Sequence, residues 1–244
     1  MALYEDYVYD DADKANCWYK KICNANLCDT GDENFCARHY KMHYLTAKAM
    51  LEGKERFTST LQPEPVDLGV FHRLAEIRSS IWQFVADGRN LLIYSQNCGN
   101  GKTEWAKKLL LSWLNSIWHT SPFRCRGLFI FMPRFIQSSK DNFNKESEYF
   151  NYAMDNIFNA DLVVFDDINY KAWTNYEMEL LFNVISRRIS EGKSNIFTSN
   201  YDINTIAERL GPRLASRVIG SSELIEFKGL DRRAYSKIAG NEVK

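Results

Sequence analysis

The chain has 244 residues, 45% of them hydrophobic and 25% charged, a size and balance that suit one folded soluble domain with a small appendage. Basic and acidic side chains number 31 each, so no global field advertises a nucleic-acid partner, although a local basic face is compatible with that balance. No run of about 18 apolar residues appears, which argues against a membrane span. The acidic, aromatic start MALYEDYVYD lacks the basic lead and apolar centre of a signal peptide, so a cytoplasmic protein is expected.

In chain order, residues 1–12 read as an acidic arm. Cys17, Cys23, Cys28 and Cys36 follow with the spacing C-x5-C-x4-C-x7-C. In a reducing compartment such a cluster points to metal more than to disulfides. Four thiolates suffice for a closed tetrahedral Zn²⁺ site. The spacing departs from paired C-x2-C knuckles, and an iron–sulfur cluster or plain apolar cysteines are the alternatives. A helix is expected in FCARHYKMHYLTAKAMLEG; His39 and His43, one turn apart on it, read as surface residues, with His39 able to replace one thiolate. The polar, proline-containing KERFTSTLQPEPVD reads as a linker. The expected division is a cysteine-rich unit 1–52, a linker 53–67 and an α/β domain 68–244.

Within that domain, strands and helices alternate. LLIY (91–94), GLFIFM (127–132), DLVVFDD (161–167), SNIFTSN (194–200) and ELIEFKG (223–229) read as buried strands. Residues 102–118 read as a helix with Ala106, Leu109, Leu110, Trp113 and Ile117 on one face. SSKDNFNKESEYFNYAMDNIF reads as one polar helix, and NYEMELLFNVISRRISEG as a helix capped by Gly192. NTIAERLG and PRLASRV read as two short helical pieces. Near-continuous apolar strands separated by helices imply a parallel sheet covered on both faces, a three-layer α/β fold of the nucleotide-binding type.

The stretch SQNCGNGKTEW lies between the first strand and its helix. A full phosphate loop, G-x-x-x-x-G-K-[ST], opens with glycine; here Gln96 stands there. Gly99, Asn100 and Gly101 can still turn backbone N–H groups around a phosphate. Lys102 would reach the β- and γ-phosphates, and Thr103 would offer its hydroxyl to Mg²⁺. Glu104 completes the loop at the helix start, whose positive end faces the phosphates. Asp166 and Asp167 end a strand, in the crevice where such folds bind ligands. Asp166 is placed to hold Mg²⁺ and Asp167 to orient or deprotonate an attacking water.

Further along, NIFTSNY presents Ser199–Asn200, RLGPRLASRV carries Arg213 and Arg217, and FKGLDRRAYSK carries Arg232 and Arg233. With the phosphate loop and VVFDD, this order resembles the AAA+ ATPases of the DnaC/IstB type over about residues 68–233. It is most similar to phage and Gram-positive bacterial replicative helicase loaders with an N-terminal zinc domain. The resemblance implies that Asn200 is the sensor asparagine. It implies that Arg217 is an arginine finger acting on the ATP of a neighbouring copy, with Arg213 as competitor. It assigns the second sensor to Arg233 or Arg232. Too few residues follow Arg233 for a helical lid, which such loaders commonly lack. It further implies ATP, Mg²⁺ and Zn²⁺ as cofactors. The implied partners are a DnaB-family helicase held by the zinc unit, single-stranded DNA, and further copies of the chain.

In MPRFIQSSKDNFNKESEYFNY, Arg134, Phe135, Lys140, Phe143 and Lys145 have the chemistry of a strand-binding face, but a partly buried amphipathic helix explains them equally. Two rivals to the loader reading remain at this point. One is an IstB-type transposition ATPase. The other is a helicase adaptor or inhibitor whose Gln96 marks a site without turnover.

Overall fold

Five short runs form strands, β1 (Asn90–Tyr94), β2 (Gly127–Phe131), β3 (Leu162–Asp166), β4 (Ser194–Ser199) and β5 (Ser222–Glu226), of which the first three are mostly apolar. The computed structural model describes residues 36–51, 61–142, 146–169, 171 and 173–230. Cys17, Cys23, Cys28, Phe143, Lys145, Arg232 and Arg233 therefore lie outside the described residues. All strand pairs are parallel, in the order β2-β3-β4-β1-β5. Parallel neighbours need crossovers, and helices supply them on both faces.

The helices are α1 (Ala37–Lys48), α2 (Leu68–Ser79), α3 (Ile81–Ala86), α4 (Lys102–Ile117), α5 (Met132–Asp141), α6 (Glu148–Ile157), α7 (Asn175–Ser190) and α8 (Ile203–Val218). Alternate strand residues divide the core. Leu91, Ile93, Phe129, Val164 and Ile196 pack with α1 to α4. Leu92, Ile130, Val163, Phe165 and Phe197 pack with α5 to α8. The expected face of α4 is buried throughout, from Ala106 to Ile117. Gly192, at φ 67°, follows α7 in the left-handed conformation expected of its cap.

Three expectations need correction. The polar segment after β2 is two helices, not one. Pro133 sits in the first turn of α5, and Ser147 caps α6 by accepting from the Phe150 N–H. Helices α2 and α3 stand before β1, where the pattern had given no element; both are short, and Ser80 separates them. His39 and His43 are buried, 2% and 5% exposed, because α1 packs on α4 and β2. Met42 and Leu45 of α1 join the same core as β1, so the described part of the cysteine-rich unit shares that core. The end of α1 also closes the sheet edge: Phe129 N–H donates to Ala49 O at 2.8 Å, and the Tyr152 hydroxyl to Lys48 O at 2.8 Å.

One polar group binds both halves of the second layer. Arg188 on α7 is fully buried, and burial lowers its pKa to about 9. Its guanidinium donates to Asn195 Oδ1 at 2.6 Å, Ser194 O at 2.7 Å, Ala160 O at 2.9 Å and Ile157 O. Arg188→Met removes those four hydrogen bonds from a buried site, and we expect a loss of roughly 3–5 kcal/mol in urea unfolding.

The break in α8 is read correctly from its sequence. Gly211, at φ 68° and ψ 164°, leaves helical geometry just before Pro212, so the helix is two pieces with Arg213 and Arg217 on the second.

Candidate functional site

Strand order fixes where the chemistry gathers. β1, β3 and β4 are adjacent and parallel, so their carboxyl ends bring the loop 95–101, Asp166–Asp167 and Ser199–Asn200 to one edge. Gly99 and Gly101 take left-handed φ values of 68° and 107°. At Gly101 it is the backbone conformation that calls for glycine; the nearest neighbour of an added Cβ is Leu61 Cδ1, the movable end of a side chain.

Lys102 is 6% exposed, and its ammonium donates to Asn97 O at 2.8 Å and Asn100 Oδ1 at 3.2 Å. Asn100, fully buried, donates through Nδ2 to Ser95 Oγ at 2.7 Å. The Lys102 ammonium is thus held over the loop by the loop's own oxygens, at the start of α4, whose positive end favours an anion. Glu104 lies in the first turn of the same helix.

The acidic pair is ordered from two sides. Thr103 Oγ1 donates to Asp166 Oδ1 at 2.8 Å, and Thr198 Oγ1 to the same oxygen at 2.7 Å. Burial raises the Asp166 pKa above its ordinary value, against the pull of those two hydroxyls. Asp167 has φ 60°, rare for a residue with a side chain and held here by its N–H donating to Thr198 Oγ1 at 2.8 Å. Its carboxylate accepts from Asn200 Nδ2 at 3.0 Å, and burial raises its pKa. Hydroxyl, carboxylate and amide oxygens are the hard donors that Mg²⁺ takes, and Thr103 and Asp166 already meet at one point. Those two residues fit the ion.

Thr198 escaped the sequence reading. Its signal lay in register: Phe165 pairs with Phe197, so the next position on β4 faces Asp166. Asn97 escaped too. Its amide donates to Lys228 O and Gly229 O, both at 3.1 Å, and Asp67 accepts the N–H groups of Lys228 and Gly229. The loop is therefore tied to the segment after β5, and that segment to the one before α2.

Gln96 is exposed, and its Nε2 donates to Asp202 Oδ2 at 3.1 Å. Asp202 caps α8, accepting from the N–H groups of Asn204 and Thr205. The Thr205 hydroxyl and N–H, then Gln96, hold its carboxyl below the usual carboxylate range. The side chain points away from the Lys102 contacts to a helix cap, so it does not obstruct the loop. Restoring glycine with Gln96→Gly removes one exposed hydrogen bond; nucleotide affinity should move by no more than about fivefold, ~1 kcal/mol, in a fluorescent-nucleotide titration.

Other sequence candidates are dispersed. Arg213 lies 4.2 Å over the Phe182 ring, and Arg217 is exposed on the same half of α8. Phe135 is fully buried and Lys140 pairs with Glu177 at 3.0 Å, so neither joins an open strand-binding face; Arg134 is exposed. Cys36 Sγ caps α1, accepting from the His39 N–H at 3.5 Å. Among the described residues no group of three or more His, Cys, Asp or Glu side chains is gathered for a metal, and the other three cysteines of the cluster lie outside them.

No protein-family model matches the chain, and no curated protein matches it. Solved structures do. The DnaC helicase loader matches over 70% of this chain and 95% of its own, at 24% identity and a TM-score of 0.56. DnaI matches over 76% of this chain and 99% of its own, at 21% identity and a TM-score of 0.56. The replication initiator DnaA bound to AMPPCP and single-stranded DNA matches over 80% of this chain and 57% of its own, at 16% identity and a TM-score of 0.55. The three-layer α/β fold expected from the sequence is the fold that these structures share with the chain. No helix among the described residues is long and apolar enough to cross a membrane.

Proposed function

We propose that the chain is an ATP-hydrolysing loader of a hexameric, DnaB-family replicative helicase onto single-stranded DNA. The observation that carries this is the meeting of Lys102, Thr103, Asp166, Asp167 and Asn200 at one sheet edge of an AAA+ fold. The likeness to DnaC and DnaI supports the loading task, and the likeness to DnaA bound to AMPPCP supports nucleotide binding.

In this reading Gly99, Asn100, Gly101 and Lys102 cradle the β- and γ-phosphates. Thr103 and Asp166 hold Mg²⁺, which when bound neutralises charge on the phosphate oxygens. Asp167 accepts the proton of a water whose oxygen bonds to the γ-phosphorus, while the bond to the bridging oxygen breaks and ADP leaves with its electron pair. Asn200 holds the Asp167 carboxylate for that role. Arg217 reaches the ATP of a neighbouring copy, and Arg233 or Arg232 is the second sensor. Residues 1–52 hold the helicase, with Cys17, Cys23, Cys28 and Cys36 on Zn²⁺; 53–67 link them to the ATPase domain, 68–244, in the cytoplasm of a bacterial host.

The test is co-purification with the host's replicative helicase, with mass measured with and without ATP. A complex whose stoichiometry responds to ATP is expected. Capture of a transposase in place of the helicase would favour the IstB-type task. Phosphate release no faster than that of Lys102→Ala, with helicase and single-stranded DNA present, would leave an adaptor.

A further inference from the structure

A cavity of about 340 Å³ opens at the β2 side of the metal corner. Thr103 and Asp166 form part of its wall, whereas Lys102, Asp167 and Asn200 do not line it. It is thus a space next to the proposed phosphate site and sharing the Mg²⁺ residues, not the phosphate loop itself.

Two cations line it. Lys107 stands one turn beyond Thr103 on α4, is 8% exposed, and its ammonium lies 5.4 Å from the centre of the Phe129 ring. Arg134, on the first turn of α5, lies 4.0 Å over the Tyr149 ring. Stacking on a ring fixes a guanidinium without spending its in-plane N–H donors. The buried Lys107 stands where the dielectric is lower than in water, which strengthens its charge toward an anion, while Arg134 reaches the cavity from the exposed side. Asp166 is the one carboxylate among the lining residues, and it is the residue placed on the metal. With Mg²⁺ on Asp166 the cavity carries a clear positive excess.

We propose that this cavity binds the inorganic phosphate freed from ATP, with Arg134 and Lys107 as its cationic partners beside the metal corner. The proposal rests on the ATPase reading. It makes phosphate departure a step with its own site, separate from the loop that keeps ADP. Because Asp166 repels an anion until the metal neutralises it, Mg²⁺ strengthens phosphate binding.

The experiment titrates inorganic phosphate into the full chain saturated with ADP, with and without Mg²⁺, and follows phosphorus-31 linewidth. Phosphate should bind the Mg²⁺–ADP form. Arg134→Ala should weaken it by about tenfold or more, and Arg134→Lys, which keeps the charge, should recover part of the loss. Both variants should keep wild-type affinity for Mg²⁺–ADP, which shows that the fold and the loop are intact. Equal phosphate affinity in wild type and Arg134→Ala, or no phosphate binding by wild type that does bind Mg²⁺–ADP, overturns the proposal and leaves the ATPase reading standing. Failure of wild type to bind Mg²⁺–ADP overturns that reading and the proposal with it. If Arg134→Ala weakens an oligodeoxythymidine but not phosphate, the cavity serves a strand backbone and the proposal also falls.

Discussion

Lys102→Ala will bind ATP and ADP roughly 30- to 150-fold more weakly than wild type, a loss of about 2–3 kcal/mol. The estimate follows from what the ammonium does. It sits on Asn97 O and Asn100 Oδ1, inside a loop whose glycines and buried Asn100 already hold the curved shape. A phosphate replaces loop oxygens with its own, so the lysine exchanges neutral acceptors for charged ones. Those charge-assisted contacts are about twice as strong as the neutral ones they replace. Alanine forfeits that gain and leaves Asn100 Oδ1 without the ammonium. The loop's other ties, Asn100 to Ser95 and Asn97 to Gly229, remain. The variant should therefore unfold in urea at nearly the wild-type midpoint, which separates lost binding from lost fold. A fluorescent-nucleotide titration gives the affinities. A change smaller than about threefold would remove Lys102 from the phosphate site.

The turn at Gly99 and Gly101 was legible because its evidence is local: glycines, lysine and threonine at fixed spacing between a strand and a helix. The strands were legible because a sheet covered on both faces needs nearly continuous apolar runs, and 91–94, 128–132 and 162–165 have them. Contacts across the sheet were not. Thr198 orders both aspartates, yet nothing near it in the chain mentions them; only the β3–β4 register does. His39 and His43, one turn apart, read as surface residues on their spacing alone. The burial of α1 comes from α4 and β2, whose residues lie some 60 to 90 positions away in the chain. Phe135 failed as a stacking platform for the same reason: α5 turns it into the core under α6, where it meets Phe150 at 5.2 Å. Gln96 shows the reverse case. Alone it reads as damage to a motif, and its bond to the α8 cap turns it into an accommodated side chain at the loop's entrance.

Arg217→Ala will lower ATP turnover in the assembled protein on the order of 10³-fold, with little change in nucleotide affinity. An arginine that meets the γ-phosphate only as charge develops stabilises the transition state more than the bound substrate. Arg217 and Arg213 share the second half of α8, but their surroundings differ. Arg213 is stacked on Phe182, an anchor that reaching a neighbouring copy would break. Arg217 is exposed on a short helical piece whose direction is set by Gly211 and Pro212, and the Ser221 hydroxyl bonds its backbone carbonyl. Arg213→Ala should therefore cost turnover far less. Mixing makes the trans role decisive. Lys102→Ala lacks a working phosphate site but keeps Arg217; Arg217→Ala keeps the site but lacks the arginine. Each alone should be nearly inactive. Mixed in equal amounts with helicase and single-stranded DNA, they should recover hydrolysis, because some interfaces pair an intact site with an intact arginine. No recovery would place Arg217 outside the neighbour's site, and a loss confined to Arg213→Ala would move the finger to that residue.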